Sequence, residues 1–197
     1  MNPGEKFEFC GYKWICLDPS YYGDGILAIM ANLYTNQQGD KYFKFNENGD
    51  GNYKNSKIRN VILEDLAQRI GTDKLIPKNI DLIADNGDDS LGFDIGYVSL
   101  MTADDFRKYR KLLPSYNDEY IWTCTPWKID NSGRAVGVRL CSAGNGGGLY
   151  NYHAITSYGV APLIIINPTI FQSHPLGCIA PLDDPISDDD IETLLGF

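Results

Sequence analysis

Apolar and polar positions alternate from Lys6 to Asp18 (KFEFCGYKWICLD) around Gly11, a period of two that predicts a strand pair or one bulged strand. After the Tyr22-Gly23-Asp24-Gly25 turn, Gly25 to Leu33 is an apolar run of strand length. Thr35 to Asn55 is rich in Asn, Gly, Asp and Lys and reads as a long exposed loop. The period then lengthens. Ile58, Val61, Ile62, Leu66 and Ile70 fall on a helical stripe that Asp65 interrupts, with Asn55 or Ser56 as the cap and Gly71 as the stop. Tyr97 to Met101 predicts a strand. Thr102 opens a second helix (TADDFRKYRKLL), with Asp105 placed for a capping box and Pro114 as its end.

Beyond Pro114 the pattern is strand-like at Tyr120–Cys124, Ala135–Ser142 and Val160–Ile166, with Gly144 to Gly148 as a flexible connection. Ser187 is placed to cap a short helix over Asp188–Leu195. Strands, helix, strand, helix and strands in that order argue for an α+β fold rather than a doubly wound parallel sheet. Two main helices, mixed or antiparallel sheets and long loops are expected. Trp14, the helix after Asn55, the Trp122 strand and the Val160 strand are expected to close around one interior. There is no internal repeat, and the organisation reads as one domain over 1–179 with an acidic tail over 180–197.

Charge narrows the classes of partner. The 197-residue chain has formal net charge −9, and six acids without a base lie in Ala180–Phe197, so the body is close to balanced. A field of that sign disfavours nucleic acid, and the longest apolar run, Val160 to Ile166, is too short for membrane insertion. The residues after Met1 lead us to expect no signal peptide, and five cysteines without metal-type spacing read as reduced, mostly buried thiols. Synthesis in the cytoplasm is expected, with a final location there or in a virion. No cofactor and no metal are expected.

Candidate chemistry is sparse. His153 and His174 stand outside any catalytic signature and read as loop residues. Asn46 to Asn52 imitates the first half of a calcium loop, with oxygen side chains at alternate positions and Gly51 at the sixth. The twelfth position is Lys57 where a bidentate Glu is required, which favours a plain Asn/Gly turn. Gly144 to Tyr158 (GNGGGLYNYHAITSY) is the most suggestive segment. Asn145, Tyr150, Asn151, Tyr152, His153 and Tyr158 present rings and hydrogen-bonding groups on a glycine-rich frame, as binding loops do. Trp127 and Arg134 are candidate contributors from nearby. The alternative is a structural hairpin whose tyrosines pack on the core.

The ordered segments Gly11-Tyr12-Lys13-Trp14, Ile26 to Met30, Tyr53 to Arg59, Val98 to Thr102, Tyr120 to Pro126 and Gly159 to Ile164 carry a resemblance. Together they resemble a bacterial and phage domain-of-unknown-function family with a W-L-R-S and G-V-R-P signature, itself similar to C-type-lectin-like and formylglycine-generating-enzyme-like folds. The matches cover roughly residues 5–168. Cys124 and Ala161 occupy the two arginine positions of that signature, so any function those arginines serve is absent here. The resemblance implies a lectin-like domain and a non-catalytic module for a protein or carbohydrate receptor, with a possible oligomer, and it points to the region before the last strand as the binding face. Two alternatives come with it. One is a formylglycine-type oxidase using Cys124 and Cys141. The other is a phage-encoded intracellular interaction or inhibitor protein acting through its tail, whose acids and terminal Phe197 resemble the tips of bacterial single-stranded-DNA-binding proteins, with Glu192 to Gly196 inserted. Folding of the tail back on the body is the simpler reading of that segment.

Overall fold

The computed structural model describes residues 1–144, 147–170 and 179–181. The period-two segment forms a hairpin, β1 (Lys6–Phe9) and β2 (Tyr12–Tyr21), turning at Cys10 and Gly11, both at positive φ. The apolar run is β3 (Gly25–Met30), antiparallel to β2 across a register shift near Asp18.

The polar stretch after Thr35 is less open than its composition implies. It contains β4 (Tyr42–Lys44), and it sends Phe45, Asn46 and Tyr53 into the interior. Asn48, Asp50 and Asn52 each accept from the backbone N–H two residues on, so the calcium-like segment is a run of Asx turns. Lys57 at its end pairs with Glu47 at 3.1 Å.

The first helix begins with a π-turn, Ile58–Leu63, and continues as α1 (Glu64–Ile70). Ser56 is the cap, its Oγ accepting from Arg59 N–H at 3.0 Å, while the Asn55 amide bonds Asp50 instead. The wider turn rotates the stripe. Leu63 and Ala67 turn inward beside Ile58, Ile62, Leu66 and Ile70, and Val61, expected inside, is 56% exposed.

A two-stranded ribbon follows, β5 (Lys78–Asp81) with β6 (Phe93–Gly96), then the short β7 (Val98–Ser99). The second helix, α2 (Ala103–Tyr109), carries the full Thr102/Asp105 capping box. It stops five residues before Pro114, passing into a tight turn in which Leu112 N–H bonds Tyr109 C=O. The chain then forms β8 (Ile121–Ile129), β9 (Ala135–Ser142), β10 (Gly148–Tyr152), β11 (Ser157–Gly159) and β12 (Leu163–Ile166). A last strand, β13 (Ile179–Pro181), pairs with β1 and so spans the expected 179/180 boundary. The rest of the acidic tail and His174 lie outside the described residues.

The architecture is mixed α+β, mostly sheet with two helices. Beside the β5–β6 ribbon there are two larger sheets, one in the order β13-β1-β2-β3-β12-β7 and the other β10-β9-β8-β11-β4. In the first, β3 and β12 are buried on both faces, which explains their unbroken apolar runs. Trp14, Ala28 and Ile164 face the first helix, Trp122 and Leu140. Ile15, Leu27 and Leu163 face Phe106, Tyr109 and Cys141 on the other side. Trp14, Ile58, Trp122 and Val160 thus share one interior, as the sequence pattern predicts. Among the described residues, no helix is long and apolar enough to cross a membrane.

Candidate functional site

Gly144 to Tyr158, for which the sequence allows either a binding loop or a structural hairpin, is largely regular structure. β10 pairs antiparallel with β9 through five consecutive positions, and β11 is held between β8 and β4. The turn joining β10 to β11 is anchored at Ala154, which is fully buried and whose C=O accepts from Asn46 N–H at 3.0 Å. Asn145 lies outside the described residues.

Strand alternation decides where the tyrosines go. Tyr150 sits opposite Leu140 and Tyr152 opposite Val138, and both partners belong to the core face that also holds Trp122. β10 lies beyond the edge of that core, so its two rings continue the apolar face into solvent, at 45% and 48% exposure. Tyr158 reaches the same place from β11, partly buried against Trp122 with ring centroids 5.2 Å apart. Tyr120, just before β8, closes the group. Its ring meets Tyr150 edge-on at 5.0 Å and Tyr158 at 6.0 Å, and Tyr152 meets Tyr158 at 5.2 Å. Such edge-to-face contacts fix ring orientation and add roughly 0.5–1.5 kcal/mol per pair beyond burial. Burial, and then a hydrogen bond shared with Tyr152, push the Tyr158 hydroxyl up to about 12. The Tyr158 hydroxyl is therefore a neutral donor and acceptor at physiological pH.

Two depressions flank β10. One, of about 440 Å³, is lined by the four tyrosines with Leu140, Leu149 and Asn151. The other, of about 310 Å³, is lined by Trp127, Val136, Gly137, Asn151, Tyr152 and His153. Gly137, at φ +68°, admits the second depression, because a Cβ there would meet Tyr152 C=O at 3.1 Å and the Trp127 ring. No Asp, Glu, Lys or Arg lines either one.

Six of the eight expected residues, Trp127, Tyr150, Asn151, Tyr152, His153 and Tyr158, therefore meet around β10. Arg134 does not. It projects from the β8–β9 turn, pairs with Asp130 and lines a separate polar hollow with Asn48, Asp50, Asn52 and Asn55. Tyr120 was not expected, although its i,i+2 relation to Trp122 places both on one face of an extended segment.

The thiols have no comparable geometry. Cys124 lies in the Trp122 cluster and Cys141, opposite Ile121, in the α2 cluster, on the two sides of the β8–β9 ladder. Burial pushes Cys124 up to about 12 and Cys141 higher still, and the Cys124 thiol donates to Met101 C=O at 3.3 Å. Among the described residues, no group of three or more His, Cys, Asp or Glu could hold a metal ion. Since only the thiolate reacts, Cys16, Cys124 and Cys141 should resist an aromatic disulfide reagent at about pH 8 and be labelled only after denaturation. Peptide mapping by mass spectrometry checks this, and prompt labelling of Cys124 in the native chain would contradict its burial.

No family model, no curated protein and no solved structure matches this chain. What the site offers is aromatic surface with hydroxyl, amide and imidazole groups, and no Asp, Glu, Lys or Arg. Neither a nucleophile paired with a base nor a metal cage stands at its floor.

Proposed function

We propose that the chain is a non-catalytic ligand- or receptor-binding module built on a C-type-lectin-like plan, of the kind found in bacteria and phages, with a protein or carbohydrate receptor as its partner. The observation that supports this best is the set of four tyrosines in mutual edge-to-face contact on one uncharged sheet face, with Tyr150 and Tyr152 about half exposed. Large rings left in water by a well-packed sheet mark contact surfaces. Tyr in particular provides wide amphipathic area at low entropic cost, and these rings have already given up much of their freedom to one another. The floor beneath them is Leu140, so a ligand would find apolar support with hydroxyls at its rim.

The test is to pan the full chain, beside a Tyr150→Ala, Tyr152→Ala, Tyr158→Ala triple variant, against a glycan array and a random-peptide library. Central aromatic contacts cost about 2 kcal/mol or more each on truncation, about 30-fold in affinity. Ligands selected by the parent should therefore fall by well over 30-fold in the variant while its circular dichroism is kept. A single Tyr152→Ala change, which removes no buried side chain, serves if the triple variant misfolds. Selected ligands that bind both proteins equally would place the site elsewhere, and selection of no ligand by either method would overturn the binding-module reading.

A further inference from the structure

The edge of a sheet presents a row of unpaired N–H and C=O groups, and proteins ordinarily blunt it with short strands, charges, proline or bulges. Most outer strands here follow that practice. β7 has two residues and β13 three. β4 has three, with Lys41 before it and Lys44 inside it. β10 does not. It is five residues long, Gly-Leu-Tyr-Asn-Tyr, without a charge or a proline, and its register with β9 is unbroken. It is the outermost strand of its sheet, and among the described residues nothing pairs with its far side.

The two depressions lie on opposite faces of this edge. Val138 pairs with both Tyr152 and Pro126, so those three share the core face. By alternation the neighbours of these residues, Asn151 on β10 and Trp127 on β8, turn to the reverse face. The tyrosine-lined hollow therefore opens on one side of β10 and the Trp127 hollow on the other, with Asn151 and Tyr152 common to both.

We propose that β10 is the acceptor edge for an extended peptide segment of a protein partner, which adds as a sixth strand and sends alternate side chains into the two hollows. This rests on the binding-module reading above and narrows it to a protein partner. Every second residue of an antiparallel edge strand aims both N–H and C=O outward, a row that another backbone matches along its length and a sugar does not. A strand so placed has a period of two, which is the relation the hollows have to one another. Neither lining holds Asp, Glu, Lys or Arg, which selects apolar or aromatic side chains, and the chain's net charge of −9, most of it in residues 180–197, favours a segment that is neutral or basic overall. A second copy of this chain brings the same net negative charge and is disfavoured as the occupant.

Peptides selected from the random library against the full chain provide the test. Each is made in two forms, with backbone N-methyl groups on odd or on even positions. Methylation removes donors and blocks pairing without touching side chains, so one form should lose at least tenfold in affinity and the other should stay near the parent. On binding, amide exchange should slow along β10. Equal affinity of both forms would overturn strand addition, while a loss on Tyr152→Ala in the same assay would leave the binding face standing. Glycans bound at the tyrosines with no peptide selected would overturn the protein-partner assignment alone. Ligands of either kind that ignore Tyr152→Ala would sink both readings. A concentration-dependent dimer abolished by Asn151→Lys would give the edge to a second copy instead.

Discussion

Replacing Trp122 by alanine is expected to remove about 3–5 kcal/mol of stability, the range for truncating a large buried aromatic. Trp122 is 1% exposed, and three elements depend on it. Its ring packs on Phe45 at 5.4 Å and on Tyr158 at 5.2 Å. Its indole N–H donates to Phe43 C=O at 2.8 Å, tying β8 to β4 across the intervening β11. Alanine leaves a cavity between the helix side of the core and the tyrosine face, and it strands a carbonyl. Trp122→Phe keeps much of the apolar contact and loses the N–H, so its cost should be nearer the 1–3 kcal/mol of a buried group left without its partner. Urea titrations of the three proteins, followed by circular dichroism, measure the order. Since domains are stable by only about 5–15 kcal/mol, the alanine variant stands close to unfolding. A loss under about 1 kcal/mol for alanine would mean that Trp122 does not hold these strands together.

The fold was readable wherever one local rule acted alone. The β1–β2 hairpin follows from alternation around Gly11, the start of α2 from Thr102 and Asp105, and the limits of β9 from its own apolar pattern. The reading failed where a distant contact overrode the local one. Phe45 and Tyr53 sit in a polar stretch, yet both pack into the core, where their rings lie 6.4 Å apart. Nothing local distinguishes them from exposed aromatics. Val61 belongs to a regular helical stripe, and the π-turn moves it outward.

The candidate site was readable by composition and missed by geometry. Glycine and tyrosine density located the segment but left loop and hairpin open, and the chain forms β10 against β9. That difference matters, because a strand supplies both a fixed ring spacing and an open backbone edge. Arg134 is near Trp127 in sequence, but the tight Asp130–Arg134 turn, closed by Asp130 N–H to Arg134 C=O at 3.0 Å, points it elsewhere. Tyr120 was passed over because its partners, Tyr150 and Tyr158, are 30 and 38 residues away.

Asp105→Ala is expected to be as damaging as the loss of Trp122, and for a different reason. Lys78, on β5, is 5% exposed, and its ammonium lies 3.1 Å from the Asp105 carboxylate on α2. The same carboxylate accepts from Thr102 N–H at 3.0 Å, closing the capping box. Alanine at 105 therefore leaves a buried cation without its counter-ion, about 3–5 kcal/mol in comparable cases, and opens a cap worth about 1 kcal/mol. Lys78→Met is gentler. It keeps the aliphatic stem, and the remaining carboxylate still has the Thr102 N–H. Combining Lys78→Met with Asp105→Asn removes both charges while leaving an amide oxygen for the cap, and this pair should recover much of what Asp105→Ala loses. Lys78→Met with Asp105→Asn, each alone and together, forms a double-mutant cycle by urea unfolding. The single changes should sum to a larger loss than the double change shows, by about 1–3 kcal/mol. Strict additivity would mean that the ion pair does not couple β5 to α2, and that the cap alone accounts for the position of Asp105.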